Sequence, residues 1–575
     1  MLYRVLERQL QRAVQEVLPD AEVSRVLVQP CPDPKFGDYQ SNALIGLAKQ
    51  RKLNPRQLAS DVLKRLQTEA WCEQVEIAGA GFLNFRLKPS AIAEALSSAA
   101  GDAHALFEKT EQPRTFVIDF SSPNVAKPMH VGHIRSTILG DSLSRVLRLL
   151  GHHVITDNHI GDWGTQFGKL LVGWKRELDA SALRADPIAE MERLYKKINS
   201  ACESDPALLE SARQELVKLQ KGDEENLRIW KEMIALSQHQ FDNIYGRLGV
   251  RFDHSLGESF YNSELERVVN DLKALGLAKE SEGAIAVFFD DSPELKGHPA
   301  LVQKTDGAAN YTTTDLATIE YRLQTWQPDE IVYVTDGRQQ LHFKQIFAIF
   351  SRWHPEAKIK LAHVWFGSIL GEDGKPFKTR GGETVRLTEL LDEAEGRAFE
   401  VVSQKNPDLS EPDRREIARV VGIGALKYAD LAQNRQSDYV FSWDKMLALH
   451  GNTAPYLQYA YTRIRSIFRK DATQKPEVRS AKAELRLVAP EEISLGKHLQ
   501  NFGLVLEAVA NEYRPNYLCN YLFELAGHFA RFYENCPVLK AAGPERSSRL
   551  LLCDLTARVL QQGLGLLGIE TTEQM

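Results

Sequence analysis

The chain of 575 residues is too long for one domain of about 100–200 residues, so we expect two to four domains. It has 71 Lys and Arg against 77 Asp and Glu, a formal net charge of −6. The chain therefore lacks an overall positive field that would attract nucleic acid, and any such partner must bind a local basic patch. The six cysteines form no Cys-x-x-Cys pair, which predicts reduced thiols rather than a zinc or redox motif. The N-terminus lacks a signal-peptide pattern and no apolar run approaches the ~20 residues that span a bilayer, so we expect a cytoplasmic protein without membrane attachment.

The N-terminal region has the pattern of a separate α+β module. Apolar residues recur at helical spacing over residues 1–18, and short strand-like runs follow at 76–78 and 82–87. Small and polar residues between 97 and 114 predict a linker. We therefore assign residues 1–105 to an N-terminal module with its linker.

The next segment predicts a β-loop-α-β unit. A buried strand is expected over 115–120, then a loop over 121–131 and a helix that ends at Gly151, followed by a strand over 153–157. This order is typical of a doubly wound parallel sheet, in which ligands bind beyond the carboxyl ends of the strands.

The remaining chain divides into a continuation of this domain and a helical end. Residues 187–247 are rich in charge and almost free of Gly and Pro, which predicts a helical insertion. Beyond it, three strand-like runs are expected to continue the same sheet, at 284–289, 331–335 and 362–367.

The predicted fold class is therefore multidomain α/β. A Rossmann-like parallel-sheet catalytic domain covers residues 106–451, with the N-terminal α+β module before it. Residues 452–575 are helical in pattern and predict a C-terminal all-α helix bundle.

The densest chemical signal lies between the first predicted strand and helix of the parallel sheet. His130, Gly132 and His133 sit at a predicted helix N-terminus, where ring N–H groups, backbone N–H groups and the helix dipole all favour phosphate oxygens. Taken alone, the two histidines are equally typical of a metal-binding pair or of helix caps.

The longer string from Ser122 to His133 resembles the HIGH signature of class I aminoacyl-tRNA synthetases, in the form found in arginyl-tRNA synthetases. The resemblance extends from the N-terminal module to the final residues 568–575. It implies an arginine–tRNA ligase that forms arginyl-adenylate from L-arginine and ATP and then transfers the arginyl group to the 3′-terminal adenosine of tRNA(Arg). It also implies Mg²⁺ accompanying ATP, no tightly bound cofactor, no dedicated protein metal site, and activation that needs bound tRNA.

The second class I signature, KMSKS, departs from its usual form. The corresponding place holds the glycine-rich segment 374–382, where basic residues remain to hold the leaving pyrophosphate. In arginyl enzymes of similar sequence the lysine just before the HIGH signature, here Lys127, compensates for the missing lysine. The resemblance implies His130, His133, Lys127 and Lys378 as catalytic residues, and Pro123, His130, Val131, Gly132, His133, Lys375, Lys378 and Arg380 as ATP-binding residues.

An arginine substrate requires carboxylates and other acceptors arranged around a planar cation. Tyr311 and Asp315 are four residues apart and share a face if the segment is helical, and Glu258 lies in a predicted turn. By spacing alone each is more typical of a surface or capping residue. The resemblance implies an arginine site in which the guanidinium contacts Glu258, Tyr311 and Asp315, and the α-amino and carboxylate groups contact Ser122, Asn124 and Gln339.

Two further segments follow predicted strands. The loop 161–168 resembles the family's loop beside the active site, although a glycine-rich structural turn explains it equally well. Asp336 and His342 are placed for contacts with the adenosine ribose or for a role in the core.

The clearest basic patch spans 463–482, with seven Lys or Arg and two acidic residues. Such a patch with adjacent aromatic residues is typical either of an RNA-binding surface or of an amphipathic helix with a solvated basic face. Resemblance to the family's anticodon-binding domain favours RNA and implies contacts to tRNA from Tyr459, Arg463, Arg465 and Arg469. The N-terminal module resembles the one that touches the tRNA elbow in this family.

Three alternatives remain open to test. A nucleotidyltransferase of the same superfamily would not need the helical C-terminal region, and a silent RNA-binding relative would not need His130, His133 and Lys127. A histidine metalloenzyme lacks a nearby third ligand in the sequence. Nothing in the sequence demands more than a monomer.

Overall fold

The computed structural model describes residues 1–101, 106–378, 384–470 and 485–575. The chain forms two compact units, one of residues 1–110 with 448–575 and one of residues 111–447. In the described parts of the chain, none of the helices combines the length and apolar character needed to traverse a bilayer.

The N-terminal part of the first unit is a four-stranded antiparallel sheet with helices, in the strand order β1-β2-β4-β3. Apolar residues of the first helix, such as Leu6, Leu10 and Val14, are fully buried. The last helix continues through Ala100, so the prediction of a linker is wrong for residues 97–100, where the buried Leu96 and Ala99 hold the helix against the core. The elements are α1 (Leu2–Val17), β1 (Gln29–Pro30), β2 (Tyr39–Ser41), α2 (Ala43–Arg51), α3 (Pro55–Leu63), β3 (Cys72–Ala78), β4 (Phe82–Leu87) and α4 (Pro89–Ala100).

The second unit contains a parallel sheet, an antiparallel sheet and many helices. Its elements are β5 (Thr115–Phe120), α5 (Val131–Leu149), β6 (His153–Asp157), α6 (Gln166–Glu177), α7 (Ala180–Ala185), α8 (Pro187–Ser204), α9 (Pro206–Gln220), α10 (Glu224–Leu248), α11 (Leu265–Ala274), β7 (Ala278–Ser281), β8 (Ala284–Val287), β9 (Ala300–Gln303), α12 (Tyr311–Trp326), β10 (Glu330–Val334), α13 (Gln340–Trp353), β11 (Lys360–His363), β12 (Ile369–Leu370), α14 (Leu387–Lys405), α15 (Glu411–Leu431), β13 (Tyr439–Val440) and α16 (Trp443–Met446).

The parallel sheet has the order β11-β10-β5-β6, which confirms the predicted Rossmann-like arrangement. The strands at 115–120 and 153–157 lie where they were predicted, whereas the run at 331–335 begins at Glu330 and the run at 362–367 forms a strand only over Lys360–His363. Their carboxyl ends share one edge of the sheet, where ligands of such folds bind.

One predicted strand belongs elsewhere. The run at 284–289 does not continue the parallel sheet, because β8 pairs with β7 and β9 in a separate three-stranded antiparallel sheet. Glu282 and Gly283, with φ of 53° and 79°, close a tight hairpin between β7 and β8. A connection this short allows only antiparallel pairing, since a parallel neighbour needs a long crossover.

The helical segment after α6 owes its boundaries to a repeated sequence device. Asp179, Asp186, Asp205 and Asp223 precede α7, α8, α9 and α10, and each carboxylate accepts hydrogen bonds from backbone N–H groups of the first turn. Such caps satisfy donors that have no partner within the helix. They make this segment a series of separate helices rather than one long rod.

The C-terminal part of the first unit is helical and packs against the N-terminal part within that unit. Tyr3 donates a hydrogen bond to Glu507 at 2.6 Å, Tyr39 donates one to Asn501 at 2.7 Å, and Lys497 pairs with Asp38 at 2.7 Å. The two ends of the chain therefore form one body. Its helices here are α17 (Ala454–Lys470), α18 (Pro490–Leu499), α19 (Phe502–Glu512), α20 (Asn516–Asn535) and α21 (Gly543–Leu566).

Candidate active site

A buried charge network supports the carboxyl edge of the parallel sheet. Arg322 of α12 is fully buried and donates to Asp119 of β5 at 2.7 Å and to Asp157 of β6 at 2.8 Å. Asp119 also accepts a hydrogen bond from the Ser122 hydroxyl at 3.1 Å, and Asn158 accepts one from the Ser122 backbone at 3.0 Å. The network fixes the first residues of the loop after β5. The sequence pattern does not indicate this network, because Arg322 lies more than 160 residues from Asp119 and Asp157 in the chain.

The two predicted histidines are held at the start of α5 by the backbone. His130 is the N-cap residue, and its Nδ1 accepts a hydrogen bond from the Gly132 backbone N–H at 3.1 Å. The Nδ1 of His133 accepts one from the His130 backbone N–H at 3.1 Å, and the ring centroids are 4.0 Å apart. Because each Nδ1 is an acceptor, a neutral ring carries its proton on Nε2.

The surroundings keep both rings neutral near pH 7. Burial lowers the pKa of His130, and the charges of Arg338 and Lys127 lower it further. Burial, together with His130, lowers the pKa of His133 to about 3. Two neutral imidazoles at a helix N-terminus therefore offer Nε2–H donors to an anion without carrying a charge themselves.

The loop before α5 is paired with the glycine-rich loop that follows β6. Val125 donates to the carbonyl of Gly161 at 3.0 Å, and Gly161 donates to the carbonyl of Pro123 at 3.0 Å. A Cβ at Gly161 would lie 2.2 Å from Oδ1 of the exposed Asn124, so a side chain there would force the Asn124 amide to move. The glycine-rich loop is thus a neighbour of the predicted site.

Gly132 is exposed beside His130, and space around it is limited. A Cβ there would lie 2.9 Å from Cε1 of His130, which would displace the ring. Pro123 and Val131 are buried. Glycine at 132 therefore keeps the ring of His130 in place and leaves the backbone open to a flat ligand.

The predicted basic residues lie on exposed loops. The Lys127 ammonium is 5.5 Å from the centroid of the Tyr195 ring on α8. Lys375 and Lys378 are exposed at a turn closed by a hydrogen bond of 2.7 Å from Gly371 to the Lys375 carbonyl. Arg380 lies outside the described residues.

The segment after this turn is anchored next to the histidines. Val131 donates to the carbonyl of Val385 at 3.0 Å, and Leu387 donates to the carbonyl of Met129 at 2.9 Å. The chain that carries Lys375 and Lys378 therefore returns directly to the first signature. This proximity joins residues about 250 positions apart in the sequence, roughly the length of a large domain.

The predicted guanidinium site contains two carboxylates, and the charge of Asp315 acts on Glu258. Asp315 lies one helical turn after Tyr311 on α12, which confirms that these two share a helix, and Glu258 begins a short 3₁₀ helix over Glu258–Tyr261. Burial, with smaller contributions from the charges of Asp315 and Asp162, raises the pKa of Glu258 to about 8. Tyr311 is 69% exposed as a residue, and burial of its hydroxyl, followed by the charge of Glu258, raises its pKa. A cation such as guanidinium would relieve the repulsion between the carboxylates.

The other predicted arginine contacts lie along the same sheet edge. Ser122 and Asn124 follow β5, and the exposed Gln339 ends a short 3₁₀ helix that follows β10. Asp336 caps that short helix and pairs with Arg338 at 2.8 Å. The Nε2–H of His342 donates to the Asp315 carboxylate at 2.5 Å, a contact that the sequence did not indicate.

The basic helix α17 is only partly open. Tyr459 is 45% exposed, and the guanidinium of the exposed Arg463 lies 5.1 Å from the Tyr533 ring centroid. Arg465 instead pairs with the Glu573 carboxylate at 2.9 Å, and Arg469 donates to the Glu573 carbonyl at 2.6 Å. The C-terminal segment therefore already occupies two of the four predicted tRNA contacts. Residues 471–484 of the basic patch are not among those described.

No cluster of three or more His, Cys, Asp or Glu side chains suited to a metal ion occurs in the described ranges.

Comparison with known proteins gives a consistent assignment along the whole chain. Residues 95–443 match the family described as class I tRNA synthetases (R), catalytic domain, residues 457–575 match the DALR anticodon binding domain, and residues 4–87 match the arginyl-tRNA synthetase N-terminal domain. The chain is 45% identical to the arginine–tRNA ligase of Laribacter hongkongensis over 97% of both chains, and 44% identical to that of Hahella chejuensis over 100% of both.

Solved structures agree with these matches. The arginyl-tRNA synthetase of Plasmodium falciparum superposes with a TM-score of 0.84 at 30% identity, covering 100% of this chain and 99% of that one. The Thermus thermophilus enzyme gives a TM-score of 0.85 at 27% identity, covering 100% of both. The chain belongs to the arginyl-tRNA synthetase family of class I aminoacyl-tRNA synthetases, which confirms the resemblance in its first signature.

Proposed function

We propose that this protein attaches L-arginine to tRNA(Arg) at the cost of ATP. The arginine carboxylate attacks the α-phosphate of ATP and pyrophosphate leaves, and the 2′-hydroxyl of the terminal adenosine of tRNA then attacks the arginyl-adenylate and releases AMP. Family membership over the full chain supports the reaction. The observation that supports the site assignment is the pair of Nδ1-anchored imidazoles at the start of α5, in the loop region after β5, together with the raised pKa of Glu258 beside Asp315.

For adenylation, the neutral rings of His130 and His133 donate Nε2–H to the triphosphate and stabilise the charge that develops at the α-phosphate. Donors fixed before the reaction cost no reorganisation when that charge appears, which makes them effective in phosphoryl transfer. Gly132 leaves room for the adenine, and we assign Pro123 and Val131 to the same site. Mg²⁺ accompanies ATP as a substrate complex and neutralises charge on its phosphates.

The leaving pyrophosphate needs positive charge that moves with the reaction. Lys127 approaches from the loop before α5, and Lys375, Lys378 and Arg380 approach from the segment that replaces KMSKS. The hydrogen bonds from Val131 to Val385 and from Leu387 to Met129 support this assignment, since they join the chain just beyond that segment to the first signature. A lysine or arginine on a loop can follow the phosphate as the bond breaks.

For the amino acid, Glu258, Asp315 and Tyr311 receive the guanidinium, and Ser122, Asn124 and Gln339 receive the α-amino and carboxylate groups. Citrulline has the same shape without the charge, so it would offer no cation to Asp315 and would not displace the proton from Glu258. The raised pKa of Glu258 implies that binding of arginine displaces a proton from this carboxyl group.

For tRNA, we assign the anticodon side to residues 452–575 and the elbow to residues 1–105, with catalysis in residues 106–451. Tyr459 and Arg463 face outward, whereas Arg465 and Arg469 would have to exchange Glu573 for phosphate. The contacts between the two chain ends in the first unit support joint binding of one tRNA. We further propose a monomer that acts in the cytoplasm, in keeping with six cysteines that are all free.

The decisive experiment is ATP–pyrophosphate exchange with arginine, lysine or citrulline, each with and without tRNA. Exchange that needs arginine and tRNA together is the expected result. Exchange with arginine in the absence of tRNA would support arginine activation but exclude a requirement for tRNA. Exchange with another amino acid, or none at all, would overturn the proposal.

A further inference from the structure

Helix α8 of the helical insertion reaches the active site through one tyrosine. The Lys127 ammonium lies 5.5 Å from the centroid of the Tyr195 ring, within the range of a cation–π interaction. The same tyrosine also contributes, after burial and Glu258, to the raised pKa of Tyr311, one of the predicted arginine contacts. The sequence motifs do not include Tyr195.

The same face of α8 also contacts the segment that follows the second signature. Glu192, one turn before Tyr195, accepts a hydrogen bond from Arg386 at 3.0 Å, and Asp186 pairs with the same guanidinium at 3.5 Å. Arg386 adjoins Val385, whose carbonyl accepts the hydrogen bond from Val131. The helix is thereby fixed at two points relative to the first signature.

We infer that Tyr195 is a positioning residue for adenylation, because its ring holds the exposed Lys127 ammonium where the triphosphate binds. This inference rests on the proposed function, which assigns Lys127 to ATP. A lysine has four rotatable bonds and loses much conformational freedom when it is fixed. An aromatic face that fixes the ammonium beforehand reduces the conformational entropy that the lysine loses when ATP reacts. The helical insertion would thus contribute to catalysis without touching substrate.

The kinetic test is a double-mutant cycle between Tyr195 and Lys127, read by tRNA-dependent ATP–pyrophosphate exchange. Tyr195→Leu keeps apolar bulk and removes the ring face, and we expect a loss of about fivefold in kcat with KM for arginine unchanged. Tyr195→Phe keeps the ring and should restore kcat to within about twofold. In a Lys127→Met background, Tyr195→Leu should add no further loss.

A matched control lies on the same helix. Lys197 pairs with Glu177 at 2.8 Å, so Lys197→Leu makes a comparable replacement without touching Lys127 and should leave the kinetics unchanged. Losses that add in the double variant, or equal losses for Tyr195→Leu and Tyr195→Phe, would overturn the inference in favour of a purely structural role.

A second readout does not depend on activity. The ring covers one side of the ammonium, so Tyr195→Leu should increase the rate at which acetic anhydride labels Lys127, by about two- to fivefold in peptide mass spectrometry, while Tyr195→Phe should not. An unchanged labelling rate in Tyr195→Leu would overturn the inference. If the ring shields Lys127 but arginine supports no exchange in the unmodified protein, the proposed function fails and the placement of Lys127 by Tyr195 stands.

Discussion

Replacing Glu258 by glutamine should raise the free energy of unfolding and abolish the further stabilisation that bound arginine gives. Burial raises the pKa of the Glu258 carboxyl from 4.5 to about 8, with Asp315 and Asp162 as further causes. At pH 7 the unfolded chain holds this group ionised, whereas the folded pocket holds it protonated. Folding therefore has to take up a proton, which a glutamine does not require.

The size of the effect follows from the pKa difference and the pH. Because the folded pKa lies above the unfolded one, the protonated group supports the folded state fully below pH 4.5, and that support is lost as the pH rises through about 8. A pH of 7 lies 2.5 units above the unfolded pKa of 4.5. At 1.36 kcal/mol per unit, the free energy of unfolding is lowered by about 3.4 kcal/mol. Partial exposure of the side chain reduces this, so we expect Glu258→Gln to gain about 1–3 kcal/mol.

The assay is thermal unfolding of the full-length protein at a fixed scan rate, at pH 5, 7 and 8, with and without arginine. For a unit of this size the gain corresponds to roughly 2–5 °C in Tm at pH 7, and it should shrink at pH 5. Saturating arginine should raise the Tm of the unmodified protein and leave that of Glu258→Gln unchanged, since ligand that no longer binds cannot stabilise. The control is Glu266→Gln, an exposed carboxylate on α11.

Two results would refute this reasoning. A lower Tm for Glu258→Gln at pH 7, or a gain that does not change between pH 5 and pH 8, would mean that the carboxyl is not protonated in the empty pocket. Equal stabilisation of both proteins by arginine would mean that Glu258 does not face the guanidinium.

Three further predictions concern the phosphate, arginine and tRNA contacts. His133→Ala should lower kcat for pyrophosphate exchange by about 10²–10³ with little change in tRNA affinity, because one oxyanion-stabilising donor is lost; unchanged exchange would remove the ring from the phosphate site. Asp315→Asn should raise KM for arginine by about tenfold or more and narrow the preference for arginine over citrulline, and equal effects on both amino acids would point to misfolding instead. Arg463→Ala should weaken tRNA binding and reduce the slope of log affinity against log salt by about one, whereas Arg465→Ala should have a smaller effect, because its guanidinium is already paired with Glu573. Indistinguishable salt slopes for the two variants would contradict the reading of α17 as only partly open.

Local patterns were sufficient for the elements of the parallel sheet around the first signature. The strands at Thr115–Phe120 and His153–Asp157 and the helix that starts after His130 follow from apolar runs and from a helix-initiating loop, which are properties of neighbouring residues. The same locality explains the errors. The run at 284–289 is a strand by composition, but its partner is decided by the hairpin turn before it, and the residues at 97–100 are helical because the core buries one of their faces.

The sequence by itself determined the family, the two histidines of the first signature and the helical C-terminal domain, because these depend on motifs and periodicities contained within short stretches of chain. Tertiary structure alone decided which side chains share a space. It brought Asp315 near enough to raise the pKa of Glu258, and it paired His342 with Asp315 through a hydrogen bond. It also placed the Lys127 ammonium over the Tyr195 ring and paired Glu573 with Arg465. Each pair joins residues far apart in sequence, and their separation is set by the packing of whole elements, which no local pattern encodes.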